Sequence, residues 1–355
     1  MTTAMDGNPH QYVDRGSGAL CTERLYQDRL VRFFYGRVRE SVPAMFRMLV
    51  SRRSTALLGY LNYDTQWGSA ACRRFLRGHG VDLGECVDDP RGFRTARDVF
   101  ERRIRYWECR PMPRDPHTAV APADSRALVG SLAERLPLFI KNKFFEYAEL
   151  LGRDRHQWLA TFRDGDYAIF RLTPEKYHYN HAPVSGVVLD HYDIEGHYHS
   201  CNPGAALRVV SPYSKNRRVV TVIDTDVPGG TGIGKVAMVE LVALMIGEIV
   251  QCVSRSRYDD PQPLTRGLWL ERGAPKSLFR PGSSTTLLVF EPGRIRFAPD
   301  LVANQARADA RSRYSLAFGR SVVETDVRVR SPLAHARTDA RRSYILLDPR
   351  LNHVE

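Results

Sequence analysis

Residues 218–242 read RVVTVIDTDVPGGTGIGKVAMVELV: two apolar runs, Arg218 to Thr225 and Lys235 to Val242, on either side of a glycine-rich link. Valine-rich runs of this length, bounded by Gly and Pro, are strands rather than helices. The link from Gly229 to Lys235, GGTGIGK, comes close to a phosphate-cradling loop. Such a loop needs Ser or Thr after the lysine to hold magnesium, and this chain has Val236. Lys235 to Glu240 alternates as a strand does, so the glycines read as a hairpin turn between antiparallel strands.

Working outward, the same strand signal recurs at Tyr167 to Leu172, Val184 to Asp190, Thr285 to Phe290 and Arg294 to Phe297, separated by Gly, Pro and Asn turns. Upstream the period changes. Leu30, Phe33, Phe34, Val38 and Val42, then Met45, Phe46, Leu49 and Val50 after Pro43, fall at helical spacing, interleaved with Arg29, Arg32, Arg37 and Arg39 and followed by Arg52 and Arg53. Arg110 to Pro116, RPMPRDP, reads as a linker. The fold class expected is α+β: a helical N-terminal region over residues 1–115, then a mostly antiparallel β domain over 116–355. The arginine-rimmed stripe has two readings, one flat on an anionic membrane surface and one against the protein's own core.

The chain has 355 residues and a formal net charge of +12, so its surface should attract anions. No RNP, zinc-finger or basic-zipper pattern points to nucleic acid. The six cysteines (Cys21, Cys72, Cys86, Cys109, Cys201, Cys252) include no CxxC pair, which argues against a disulfide scaffold or a structural zinc. His178, His181, His191, His197 and His199 crowd one span, but no HExxH accompanies them and no metal site is expected. The first residues lack the apolar core of a signal peptide, and no apolar run reaches the ~18–20 residues a membrane span needs. A cytoplasmic protein touching the inner face of the cell membrane from one side is the expectation.

The residues that carry chemistry form a recognisable series. Leu172 to Gly186, LTPEKYHYNHAPVSG, resembles the YHRxHxPVxG segment of phosphatidylserine decarboxylases. His199-Ser200-Cys201-Asn202-Pro203 is similar to their SVNP turn, and Asn216-Arg217-Arg218-Val219-Val220 to their N-x-R-V strand. Phe279-Arg280-Pro281-Gly282-Ser283-Ser284 resembles their F-x-x-G-S-T processing segment. Val120 to Asp124 is similar to S-P-x-D-G, Lys141 and Leu150-Leu151-Gly152 to the stretch after it, and Tyr12 to Arg15 with Arg32 to Gly36 to the longer bacterial branch. The resemblance spans nearly the whole chain in unbroken order.

What the resemblance implies is a self-cleaving decarboxylase carrying a pyruvoyl group. Glycine allows strained conformations that expose its carbonyl, so Gly282–Ser283 suits self-cleavage. Ser283 is a weak nucleophile that needs a base, His181, and the base needs an orienting carboxylate, Asp124. By analogy with the family, the Ser283 hydroxyl attacks the Gly282 carbonyl to give an ester. Elimination and hydrolysis then leave pyruvoyl, a covalent pyruvate cofactor, on the new N-terminus. That ketone forms a Schiff base with the amine of phosphatidylserine and draws electrons as carboxylate leaves, giving phosphatidylethanolamine. His178 holds the substrate carboxylate or supplies the proton that replaces it. The partners implied are an anionic phospholipid, a membrane surface and two self-derived fragments that stay together, with a homodimer left open.

Departures from the family pattern fall beside these positions: Asp124-Ser125 for Asp-Gly, Lys176 for an acidic residue, Tyr179 for Arg, Leu241-Val242-Ala243 for Val-Gly-Ala, and Ser284 for Thr. Those next to His178 keep open a soluble decarboxylase of a free amino acid. A non-catalytic lipid-binding relative is disfavoured by the intact Asp124, His181 and Ser283.

Overall fold

The computed structural model describes residues 8–337, apart from 26–27, 29–32, 52–53, 55–56, 58–59, 66, 134–143, 210, 244–247 and 281–283. Arg29, Leu30, Arg32, Arg52, Arg53, Lys141, Gly282 and Ser283 therefore lie outside the described residues.

The two runs around the glycine-rich link form β8 (Arg218–Asp224) and β9 (Lys235–Val242), paired antiparallel from Arg218 opposite Leu241 to Asp224 opposite Lys235. The link is a turn in which Gly229, Gly232 and Gly234 all take positive φ, which other residues adopt only with strain. Both strands belong to a ten-stranded sheet in the order β11-β7-β8-β9-β13-β5-β4-β15-β1-β2. Its remaining members are β1 (Gln11–Asp14), β2 (Leu20–Thr22), β4 (Ser125–Ser131), β5 (Asp166–Leu172), β7 (Gly186–Ile194), β11 (Trp269–Leu270), β13 (Ser284–Phe290) and β15 (Glu324–Val327). Every pairing is antiparallel except β1 with β15. Two three-stranded sheets flank it. One is β10 (Ile249–Gln251), β12 (Pro275–Phe279) and β6 (Tyr179–His181), with β12 central; the other is β14 (Ile295–Phe297), β16 (Pro332–Ala336) and β3 (Thr118–Val120).

Strand alternation sends successive side chains to opposite faces, and here both faces are covered. Phe170, Val236, Met238, Leu288 and Phe290 enter one buried cluster, while Ile169, Ala237, Val239, Leu287 and Val289 enter another. That is why β9 and β13 read as nearly continuous apolar runs.

The mixed α/β architecture with a large, mostly antiparallel sheet agrees with the expected class in outline, but its helices are short. The first 115 residues are not wholly helical: β1 and β2 thread into the main sheet. His10 and Arg171 tie them there, with His10 Nε2 2.8 Å from Glu324 and the Arg171 guanidinium bridging Glu23 and Glu324. Part of the helical stripe packs on the protein's own core and part is exposed. Tyr35, Val38, Phe46 and Val50 pack against Ala205 and Val209, whereas Phe33, Val42, Met45 and Met48 face outward. Among the described residues no helix is long and apolar enough to cross a membrane.

A polar seam runs between β6, β9, β12 and β13. Lys276 and Glu240, neither with any exposure, form an ion pair at 2.7 Å. Gln251 joins both at 2.9 and 3.0 Å, and Ser277 and Asn180 also donate to Glu240. Thr286 donates to Asn180 at 2.8 Å, linking β13 into the same network. Removing one partner of a buried pair strands the other charge without water. Lys276→Met is therefore expected to destabilise the fold by about 3–5 kcal/mol, and adding Glu240→Leu to restore part of the loss. Denaturant midpoints of the two variants check this.

Candidate functional site

The link between β12 and β13 carries the expected cleavage point, and its flanks are held by main-chain pairing. Phe279 ends β12 with its N–H donating to the His178 carbonyl at 3.1 Å. Ser284 opens β13 between Leu172 of β5 and Val242 of β9. Arg171, the residue before Leu172, lies opposite Arg126 of β4, two residues after Asp124. The start of β13 and Asp124 thus lie at the same end of the main sheet, on either side of β5. The short strand β6 reaches the same end: the His181 N–H donates to the Pro122 carbonyl at 2.7 Å.

Asp124 is buried and gripped by Arg110, whose Nη2 donates to Oδ2 at 2.8 Å and whose Nε donates to Oδ1 at 3.1 Å. The Val329 N–H adds a third bond at 2.8 Å, and the other side of the guanidinium binds Glu85 at 2.9 Å. Burial raises the Asp124 carboxyl, but the Arg110 charge and hydrogen bonds outweigh it and hold the group down to about 2. It is an anion throughout the physiological range.

His181 is fully buried, and its ring is fixed at both nitrogens: Nδ1 lies 2.8 Å from the Gly273 carbonyl and Nε2 2.9 Å from the Tyr177 hydroxyl. Burial, chiefly, pushes its pKa down to about 3, so it is a neutral imidazole. The carboxylate expected to orient this ring binds Arg110 instead, and Tyr177 and Gly273 do the orienting. His178 is equally buried. Its Nδ1 is 2.7 Å from the Lys176 carbonyl, its ring lies 4.5 Å from that of Phe100, and burial pushes it too down to about 3. His178 Nε2 has no hydrogen-bond partner among the described residues, nor has the buried Ser284 hydroxyl. Lys176 is not a solvated surface charge but pairs with Asp326 at 2.7 Å. A cavity of about 900 Å³ opens beside Asp124, Lys176 and Tyr177.

Three residues here escaped sequence reasoning. Arg110 sits in the stretch read as a linker, and Gly273 contributes only its carbonyl. Tyr177 stands directly before His178 within the resembling segment, which was the one available signal.

Residues 96–321 match the family model described as phosphatidylserine decarboxylase. The chain is 30% identical over 315 residues to a phosphatidylserine decarboxylase proenzyme of Chlamydia trachomatis, covering 87% of this chain and 96% of that one. A proenzyme of the same description from Bordetella avium is 30% identical over 302 residues, 81% of this chain and 85% of its own length. One from Chlamydia muridarum reaches 32% over 254 residues. The class these define is a carboxy-lyase made as a proenzyme. This chain belongs to the phosphatidylserine decarboxylase family.

Proposed function

We propose that this chain is a proenzyme that cuts itself between Gly282 and Ser283 and then decarboxylates phosphatidylserine to phosphatidylethanolamine. The observation that supports this reading is that the residues flanking Gly282–Ser283, Phe279 and Ser284, lie at the same end of the sheet as Asp124, His178 and His181. Residues 1–115 would supply the membrane-facing region, with β1 and β2 threaded into the sheet, and 116–355 the catalytic part.

Ser283 is the nucleophile and His181 the base. A neutral imidazole buried away from water keeps a lone pair available at physiological pH, which a base requires. Asp124, ionised by Arg110, places a fixed negative charge near His181 that favours its protonation when the proton arrives. The surroundings suit a small carbonyl group at the start of the new chain: the Ser284 hydroxyl is a buried donor without a partner among the described residues. A pyruvoyl group there would supply the ketone that draws electrons from the substrate's amine-bearing carbon. With Nδ1 donating to the Lys176 carbonyl, His178 Nε2 is a lone pair that relays the replacing proton after first accepting one, rather than a group that holds the substrate carboxylate.

The outward-facing Phe33, Val42, Met45 and Met48 lie in the same segment as Arg39 and Arg47, which line a second cavity of about 850 Å³ together with Arg153, Arg155 and Lys215 and the carboxylates Glu149, Asp154, Asp193 and Glu195. Apolar side chains bordered by cations suit the surface of an anionic bilayer, here the inner face of the cell membrane.

Intact-mass measurement tests the proenzyme reading. Two co-purifying fragments are expected, residues 1–282 and 283–355, the second with a blocked N-terminus. An active preparation containing only the 355-residue chain would overturn it.

A further inference from the structure

The lining of the 850 Å³ cavity keeps positive charge buried and leaves most of its negative charge in solvent. Arg218, which opens β8, is almost wholly buried there and donates to the main-chain carbonyls of Leu150, Asn216 and Glu149 rather than to a carboxylate. A guanidinium carries five N–H donors, so these bonds do not exhaust it. Burial pulls its pKa down to about 10. His199 lines the same cavity. Its ring stacks on Phe46 with centroids 6.1 Å apart, and its Nδ1 is buried with no hydrogen-bond partner among the described residues. Burial first, then His197, Lys215 and Arg39, push the ring down to about 4, so it is neutral in the field of nearby cations. Asp154, Asp193 and Glu195, by contrast, are 81, 58 and 78% exposed and pair with Arg155 or Arg217. Glu149 accepts from Ser214 at 2.8 Å. Phe46 belongs to the helix Pro43–Leu49, whose Met45 and Met48 face outward. Asn216 ties the His199 main chain to the sheet by donating to the Val242 carbonyl, opposite Ser284.

We propose, resting on the membrane-surface reading above, that this cavity binds the phosphate group of one anionic phospholipid, with His199, Lys215 and Arg218 donating to its oxygens. An ammonium, a guanidinium and an imidazole from three separate elements suit the several oxygens of a phosphate better than the two of a carboxylate. General attraction to a charged bilayer needs only exposed cations. A buried guanidinium and a buried imidazole act on a ligand that enters the cavity. The imidazole donates one N–H while neutral, and an anion against it favours its charged form. The apolar outer side of the helix Pro43–Leu49 is then free to meet the acyl chains.

The test measures, by calorimetry, binding of dihexanoyl phosphatidylglycerol to the full chain. This soluble lipid lacks the amine a Schiff base needs, so decarboxylation plays no part. Lys215→Met is expected to bind about tenfold more weakly, the scale of one lost charged hydrogen bond. His199→Phe keeps a ring against Phe46 and removes only the N–H, so a loss of about fivefold is expected. Arg296→Met makes the same charge change at an exposed position outside the cavity and should bind as the parent does. A parent that does not bind the lipid overturns the proposal. So do folded Lys215→Met and His199→Phe at parental affinity, and either alone suffices should the other not fold. An equal loss in Arg296→Met overturns it too, because exposed charge anywhere would then account for binding. Inorganic phosphate that displaces the lipid at matched concentration would give the site to free phosphate and overturn the lipid assignment. A parent that shows the expected losses yet does not sediment with phosphatidylglycerol vesicles upholds the site and overturns the bilayer reading instead.

Discussion

Ser283→Ala is expected to yield a single uncut chain of 355 residues, with self-cleavage slowed on the order of 10⁶-fold, the scale of losing a catalytic nucleophile. Alanine offers no atom to attack the Gly282 carbonyl, and without the cut no pyruvoyl group arises, so decarboxylation falls with it. The neighbouring Ser284 is the one hydroxyl that could be thought to substitute. It is fixed as the first residue of β13, paired on both sides with Leu172 and Val242, and shifting it by one residue would reverse the face of every side chain after it. Those side chains fill two separate cores, so the shift is costly. Ser284→Ala should accordingly cleave as the parent does. Intact mass and carbon dioxide release from phosphatidylserine vesicles check both variants. A cut, active Ser283→Ala would remove that residue from the mechanism.

The contrast between what was legible in the sequence and what was not follows the range of the interactions. β8 and β9 could be read because long apolar runs bounded by glycine carry their own signal, and their limits fall within a residue of those expected. β6 and β12 could not. Tyr179–His181 is three residues long and Pro275–Phe279 contains lysine and serine, so they are strands because of the neighbours they pair with, β6 with β12 and β12 with β6 and β10. β1 pairs with β15 across more than three hundred residues, and no local pattern encodes such a partner. The same distinction holds at the site. Asp124, His178 and His181 could be named from the segments that contain them, but which group each side chain binds is a matter of three-dimensional placement. Arg110 reaches Asp124 from a proline-punctuated stretch whose prolines mark irregular backbone and conceal the arginine's role. The orienting of His181 by a tyrosine and a main-chain carbonyl leaves no more trace than the tyrosine itself.

His178→Ala separates the two reactions that share this sheet end. The variant should still cut itself, because what ties His178 to β12 is its main-chain carbonyl accepting from the Phe279 N–H, and alanine keeps that bond. Decarboxylation should fall by about 10²–10⁴-fold, the usual worth of a positioned proton-transfer group. The imidazole is held for such work. Nδ1 donates to the Lys176 carbonyl, Phe100 packs on the ring, and Nε2 is left as a buried lone pair without a partner among the described residues. The sign of its pH dependence follows from burial, which holds the group down to about 3. His178 is neutral above that value and becomes charged only as pH falls toward it, so its titration should leave activity level between pH 5 and 8. The measurement pairs intact mass, which reports the cut, with carbon dioxide release, which reports decarboxylation. Full lipid turnover by a cut His178→Ala would place the residue outside the chemistry. An uncut variant would place it in self-cleavage alongside His181. A cut chain that has lost turnover assigns it to the second reaction alone, with the base of the first lying three residues further along the same segment.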